Sequence, residues 1–319
     1  MNESRGLVEV RGLCKYFPLS RRRILKAVDG VDFRIRRGEV LGLVGESGCG
    51  KTTIGRLILN LLPLTSGEIE FDGVRLSELS RSEMRRMRRR MQIVFQDPYA
   101  SLNPRMTIGN ILTFPMKVQG LYRGKRRERV VYLLERVGMR ASDMNRYPHE
   151  FSGGQLQRIG IARALAVDPE FIVADEPVSS LDVSIQSQVL NLFKELQEEF
   201  HLTSLFIAHD LSVVEFISDR IAVVYLGKIV EMAPSRVLYK SNWHPYTRSL
   251  LSAIPLPDPK IEQNKPPFSL TGEATSPINP PPGCRFYSRC SVKGERCKED
   301  QPQLVEVGKD HYVSCFQVN

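Results

Sequence analysis

The stretch "LGLVGESGCGKTTIGRL", residues 41–57, constrains this chain more than any other. An apolar run ends in a glycine-rich turn, and a Lys-Thr pair then opens a helical pattern. Gly45, Gly50, Lys51 and Thr52 fit G-x-x-x-x-G-K-[ST]. Glycines let such a turn bring successive backbone N–H groups toward one point, where they cradle phosphate oxygens. Lys51 then reaches the same oxygens as a point charge, and the Thr52 hydroxyl holds Mg2+. The helix that follows adds its positive N-terminal end.

The rest of the chain alternates short β-type runs with helical patterns. Strand candidates are "VLGLVG" (40–45), "QIVFQ" (92–96), "FIVAD" (171–175) and "SLFIAH" (204–209). Between the last two, Ile185, Val189, Leu192, Phe193, Leu196 and Phe200 recur at helical spacing and form one apolar stripe. This alternation predicts a largely parallel sheet with helices on both faces. "GEIEFDGVRL" (67–76) and "RIAVVYLGKIVEMA" (220–233) read instead as hairpins, which puts antiparallel strands at the margins. Residues about 100–165 read as a helical subdomain inserted between strands, and 254–283 as a proline-rich connector.

At 319 residues the chain can bury one large core, or one core plus a small appended domain. No apolar run approaches the roughly 20 residues a membrane span needs, and the first ten residues lack the pattern of a secretory signal. The expectation is a cytosolic protein, with attachment to a membrane protein left open. A net charge of +9 is concentrated in "SRRR" (20–23), "MRRMRRRM" (84–91) and "RGKRRER" (123–129). No aromatics are interleaved there, as a single-strand-binding platform requires, so solvated helix faces and loop tips account for them best.

A metal at the phosphate turn needs acid groups. "FIVADEP" (171–177) places Asp175 and Glu176 at the C-terminal end of a buried strand. Asp175 suits the Mg2+ shell, and Glu176 is the candidate general base that polarises an attacking water. "FSGGQLQR" (151–158) puts Ser152 at a helix N-cap, with Leu156, Ile159, Ala162 and Ala166 following at helical spacing. A Ser-Gly-Gly turn opening a helix is a second anion-binding arrangement. One nucleotide hardly needs two such ends unless they come from different molecules.

In this order and spacing, "GESGCGKT", "FSGGQLQR" and "FIVADEP" resemble the nucleotide-binding subunit of an ABC transporter over about residues 7–255. The resemblance implies an α/β P-loop NTPase of ABC type. Its central sheet is mostly parallel, with an antiparallel β margin and an inserted helical subdomain, and a small cysteine-rich C-terminal extension follows at 256–319. It implies that ATP is held by Gly45, Glu46, Ser47, Gly48, Cys49, Gly50, Lys51, Thr52 and Thr53, with Mg2+ on Thr52, Gln96 and Asp175. Gln96 in "VFQDP" matches the Q-loop, Ser180, Leu181 and Asp182 in "SSLD" the D-loop, and His209 in "FIAHD" the switch histidine. Phe17 in "CKYFP" stands where the family stacks an aromatic on adenine, with Tyr16 as the alternative. Glu176, His209 and Gln96 are the implied catalytic set. The family pattern further implies a head-to-tail dimer in which Ser152, Gly153, Gly154 and Gln155 of one chain cover the ATP of the other.

Cys284, Cys290, Cys297 and Cys315 are spaced C-x5-C-x6-C-x17-C, which by itself indicates only a metal site. "HPYTRSLLSAIP" (244–255), the connector and "GCRFYSRC" (283–290) resemble the C-terminal extension of oligopeptide/dipeptide-importer ATPases. That likeness implies a 4Fe-4S cluster on the four thiols, with Zn2+ as the alternative. It also implies two transmembrane permease subunits and a second related ATPase as partners, with a homodimer as the alternative. A solute-binding protein outside the membrane, a peripheral place on its cytoplasmic face and no nucleic acid complete the expectation. Nickel, oligosaccharide or another solute could replace peptide. A DNA-acting ATPase is disfavoured, because only about 100 residues separate the phosphate turn from the SGGQ turn. Cys49 lies within a positive, N–H-rich turn that could lower its pKa, or it stands there as a small residue that fits the turn.

Overall fold

The structure, a computed structural model, describes residues 6–254 and 276–318. Most of the proline-rich connector therefore falls outside the described residues. The chain divides into two compact units, neither of them one continuous segment.

The first unit contains residues 35–40 and 71–207. The strands β6 (Met91–Val94), β7 (Phe171–Asp175) and β8 (Thr203–Ile207) lie side by side and parallel, in the order β6-β7-β8. β7 is apolar over Phe171–Ala174 and wholly buried, as a strand covered on both faces should be. The unit also holds β5 (Val74–Arg75) and the helices α2 (Arg81–Arg90), α3 (Pro98–Ser101), α4 (Ile108–Val118), α5 (Arg126–Arg136), α6 (Gly153–Leu165) and α7 (Val183–Glu199). The stripe read on α7 is buried at Val189, Leu192, Phe193 and Leu196, and Phe193 meets Phe206 of β8 edge-on at 5.6 Å. Ile185 and Phe200, at its two ends, are only half-buried.

Several arginines of the charged runs have internal partners. Arg90 bonds to Glu170 and Asp72, Arg129 to Asp168, and Arg89 donates to the Val167 carbonyl.

The second unit contains residues 8–34, 41–70 and 208–319. β1 (Val8–Ser20), β2 (Arg23–Ile35) and β4 (Ser66–Phe71) lie in the order β2-β1-β4. A second group runs β11-β12-β10-β9-β3 and is formed by β3 (Val40–Val44), β9 (Arg220–Tyr225), β10 (Lys228–Pro234), β11 (Val305–Gly308) and β12 (His311–Val313). β3 pairs parallel with β9, and the remaining pairs are antiparallel. The β9–β10 hairpin turns through Leu226 and Gly227, both at positive φ, the backbone a tight two-residue connection needs. α1 (Lys51–Ile58), α8 (Leu211–Ile217), α9 (Ser235–Lys240) and α10 (Pro245–Ser252) complete the unit.

One feature departs from the expectation of an appended tail. Residues 305–313 extend the β9–β10 hairpin as two further strands, with Glu231 opposite Val313 and Met232 opposite Tyr312. Behind that pairing the buried Glu231 carboxylate contacts His311 Nε2 at 2.8 Å and accepts from the Trp243 and His244 N–H groups. The C-terminal cysteine segment is thus built onto the unit that carries the phosphate turn.

Candidate nucleotide site

In the second unit, β3 delivers the chain to the turn. A Cβ on Gly45 (φ +150°) would lie 2.2 Å from the Val224 carbonyl oxygen, and one on Gly50 (φ +110°) 2.2 Å from that of Ala27. Backbone stands where a side chain would be, so both positions require glycine. Lys51 is buried, and its ammonium donates to the Gly45 carbonyl at 2.8 Å and the Glu46 carbonyl at 3.1 Å. The positive charge therefore sits inside the turn, where it can exchange those carbonyls for phosphate oxygens. Ser47 and Gly48 are exposed at the tip, while Thr52 and Thr53, half-buried, open α1.

Cys49 follows the second of its two readings, a small residue that fits the turn. It is buried, and burial pushes its thiol pKa up, outweighing the nearby Lys51 charge. A neutral thiol with little solvent access is a packing group and not an activated nucleophile.

Phe17 and Tyr16 separate clearly. Tyr16 donates its hydroxyl to Asp29, which also holds Arg285. Phe17 is half-exposed, with the Lys15 ammonium 4.9 Å from its ring centroid. His209 is exposed and follows Ala208, whose N–H donates to the Leu43 carbonyl of β3 at 3.2 Å. Asp210 then caps α8 by accepting from the Ser212 N–H at 2.8 Å.

In the first unit, Asp175 ends β7 and is buried. Glu176 takes a left-handed backbone (φ +48°), a costly conformation for a residue with a Cβ. Its N–H donates to the Ile207 carbonyl at 3.0 Å, which fixes the turn. Gln96 Nε2 donates to the Glu176 carboxylate at 3.0 Å and to Ser179 Oγ at 3.3 Å. Two residues 80 positions apart thus meet, and an oriented carboxylate at a strand end can accept a proton from water.

The Ser-Gly-Gly turn lies in the same unit. Ser152 Oγ accepts from the Gln155 N–H at 3.4 Å, and Gln155 Oε1 accepts from the Ser152 N–H at 3.0 Å, a reciprocal cap of α6. A Cβ on Gly154 would stand 2.4 Å from Ile185 Cγ2, and one on Gly153 would stand 3.5 Å from Leu181 Cδ2. Asp182 caps α7 by accepting from the Ile185 N–H at 3.1 Å. The turn and "SSLD" therefore pack against each other, with Ser152, Ser180 and Asp182 exposed.

The four C-terminal cysteines gather in the second unit. Cys290 and Cys297 are buried, Cys284 and Cys315 partly so. The Cys284 N–H donates to the Cys297 carbonyl at 2.8 Å. Burial pushes the Cys284 thiol up to about 11, and Cys297, Cys290 and Cys315 each add to the shift, which places all four in one electrostatic neighbourhood. Four thiols are the donor type of a sulfur-ligated group. Among the described residues no three Cys, His, Asp or Glu side chains converge closely enough to hold a single metal ion. Neither the expected 4Fe-4S cluster nor the zinc alternative therefore finds a preformed metal-holding group among the described residues.

Sequence reading missed two residues that reach the phosphate turn from the C-terminal side, Tyr246 and Arg289, and a third, Arg285, that holds the neighbouring β9–β10 turn through the Leu226 carbonyl. The Tyr246 hydroxyl accepts from the Glu46 N–H at 2.9 Å. No periodicity marks such contacts, because their partners lie far away in the chain.

The chain is similar to known proteins over most of its length. The family described as "ABC transporter" matches residues 28–179, and "Oligopeptide/dipeptide transporter, C-terminal region" matches residues 230–297. The putative oligopeptide transport ATP-binding protein YkfD of Bacillus subtilis (strain 168) is 53% identical over 311 residues, covering 97% of this chain and 94% of its own. The oligopeptide transport ATP-binding protein OppF of Escherichia coli (strain K12) is 52% identical over 299 residues, covering 93% and 89%. Among solved structures, the dimeric post-hydrolysis ATP-binding cassette MJ0796 bound to ADP and Pi is similar at a TM-score of 0.63 and 31% identity, covering 72% of this chain and 99% of that one. With its glycine-bound lysine turn, its Gln96–Glu176 pair and relatives matched over nearly their full length, this chain belongs to the ABC transporter family of ATP-hydrolysing cassettes.

Proposed function

We propose that the chain is the ATP-binding and ATP-hydrolysing subunit that energises import of oligopeptides or dipeptides through a separate membrane permease. One observation carries this reading: an ABC transporter segment and an oligopeptide/dipeptide transporter C-terminal region follow one another in a single chain. ATP and Mg2+ are the cofactors of such a cassette. Lys51 and the N–H groups of Gly45–Thr53 bind the β- and γ-phosphates, Phe17 stacks on the base, and Thr52, Gln96 and Asp175 hold Mg2+. Glu176, held by Gln96, takes the proton of the attacking water, and His209 contacts the γ-phosphate. Ser152, Gly153, Gly154 and Gln155 cover the ATP of a second cassette, with Asp182 beside them. That second cassette is a related ATPase or another copy of this chain. The dimer described for MJ0796 supports a two-cassette arrangement.

Among the described residues no helix is long and apolar enough to cross a membrane. In this reading the pore is formed by separate permease subunits. The exposed Tyr99, Phe114, Val118 and Tyr147 of the helical part of the first unit offer these subunits an apolar landing on the cytoplasmic face. A solute-binding protein outside the membrane selects the peptide. Cys284, Cys290, Cys297 and Cys315 hold a 4Fe-4S cluster, so aerobically purified protein should be brown and contain iron and acid-labile sulfide. Colourless protein with stoichiometric zinc refutes the cluster.

Co-purification with the permease and reconstitution in vesicles tests the transport role. Peptide uptake should require this chain and ATP, and Glu176→Gln should keep ATP binding while stalling hydrolysis and uptake. Uptake of nickel or an oligosaccharide in place of peptide would reassign the solute, and rapid turnover by Glu176→Gln would remove the proposed base.

A further inference from the structure

The second residue of the phosphate turn is a glutamate, and a carboxylate beside a triphosphate repels it. The structure shows what answers that charge. Arg289, from the C-terminal cysteine segment, meets Glu46 on both oxygens, with Nη1 to Oε2 at 2.9 Å and Nη2 to Oε1 at 2.9 Å. This is the fork-on-fork geometry that makes an arginine–carboxylate pair strong and directional. The Arg289 side chain is 12% exposed against 39% for Glu46, so the arginine is the fixed member. Its guanidinium lies 5.9 Å from the Tyr225 ring centroid.

Two further contacts from the same region reach the turn. The buried Tyr246 accepts the Glu46 N–H at 2.9 Å, and its ring packs on Phe286 at 5.6 Å. Arg285 donates to the Leu226 carbonyl, and the next N–H, of Gly227, donates to the Cys49 carbonyl at 2.7 Å. Arg289 thus braces the turn at Glu46 from 243 positions away, while Arg285 holds the β9–β10 turn whose Gly227 N–H meets Cys49. All of these residues belong to the second unit.

We propose that Arg289 is a positioning residue for nucleotide binding: it neutralises and holds Glu46, so that the turn and Lys51 meet the triphosphate without a competing anion. The inference rests on Gly45–Thr52 being the triphosphate site. A strut that only supports the shape of the turn would act differently. Loss of both charges would then be at least as harmful as loss of one. Charge neutralisation makes the opposite prediction, because removing Glu46 also removes the need for Arg289.

The test is the MgATP affinity of the purified full chain, measured by calorimetry, together with KM and kcat. Arg289→Ala should weaken binding roughly tenfold, raising KM while kcat changes less than about twofold. Arg289→Lys, which keeps the charge and loses the fork, should recover most of that loss. The double variant Arg289→Ala/Glu46→Gln should return to within about threefold of wild type. Glu46→Gln alone, which leaves the C-terminal segment untouched, should bind MgATP about threefold more tightly. The inference is overturned if Arg289→Ala binds as wild type, if the double variant stays as weak as Arg289→Ala, or if Glu46→Gln weakens binding. Should wild type bind MgATP, with Lys51→Ala abolishing it and Arg289→Ala and Glu46→Gln leaving it unmoved, only this inference falls. Wild-type chain that binds no MgATP overturns the phosphate site and the inference together.

Discussion

Gly154→Ala tests the packing that holds the Ser-Gly-Gly turn. The added methyl would lie 2.4 Å from Ile185 Cγ2, where carbon atoms normally stand about 3.5–4.0 Å apart. Relief requires a shift of more than about 1 Å. Ile185 resists it, because its N–H is bonded to Asp182 Oδ1 at 3.1 Å and a β-branched side chain in a helix has essentially one χ1 rotamer. Overpacking of this kind costs about 1–3 kcal/mol. Replacing glycine in a helix returns about 0.5–1 kcal/mol, less in the first turn where Gly154 sits. The net loss should be about 1–2 kcal/mol. Ile185→Ala removes the obstructing carbon, and because Ile185 is only half-buried its own cost should be about 1–2 kcal/mol. Combining the two should recover about 1–2 kcal/mol relative to additivity. Urea unfolding of all four proteins, with m unchanged, measures the cycle directly. A Gly154→Ala protein as stable as wild type, or a double variant additive within about 0.5 kcal/mol, would refute the steric reading of this glycine.

Lys51→Ala should abolish MgATP binding with little change in unfolding midpoint; retained affinity in the folded variant would remove the lysine from the site. His244 is buried, and burial holds its pKa down to about 3, while its Nδ1 accepts the Tyr246 N–H at 3.1 Å. Below a pH of about 6.5 the unfolded chain gains a proton that the fold refuses, so stability should fall by up to about 1.4 kcal/mol per pH unit. His244→Asn keeps an acceptor for that N–H and should flatten unfolding midpoints between pH 7.5 and 5.5; an unchanged slope would contradict this. Hydrogen bonds from Arg90 hold Asp72 and Glu170 below the usual carboxylate range, so their contribution is present above pH ~4 and lost on acidification through their folded values. Both are more than a third exposed, so Arg90→Ala should soften the acid limb of the stability curve at low salt and do little at high salt.

What could be read from the sequence depended on whether a residue's reason for being there is local. Gly45 and Gly50 stand out because the backbone path itself excludes a Cβ, and Ser152 because its capping partner, Gln155, is three residues away. The α7 stripe was legible because burial repeats at the helical period, and it faded at Ile185 and Phe200, where the helix ends. Cys49 stayed open between an activated thiol and a packing residue because the charges around it can be inferred from its neighbours in the chain, whereas burial, which outweighs them, cannot. β11 and β12 are four and three residues long, too short to show a period, and exist because β10 offers them an edge. Arg289 is the sharpest case. In a chain with 45 basic residues one more arginine reads as surface charge, and a glutamate in the phosphate turn reads only as one more residue of the ATP-holding loop. Only the fold brings them together, and the pair explains why each is tolerable: a part-buried guanidinium needs a carboxylate, and a carboxylate beside a triphosphate needs a cation. If that reciprocity governs nucleotide affinity, the C-terminal segment is part of the machinery that sets ATP binding, and a cassette shortened before residue 276 should bind MgATP more weakly than the full chain even with every residue from Gly45 to Thr53 intact.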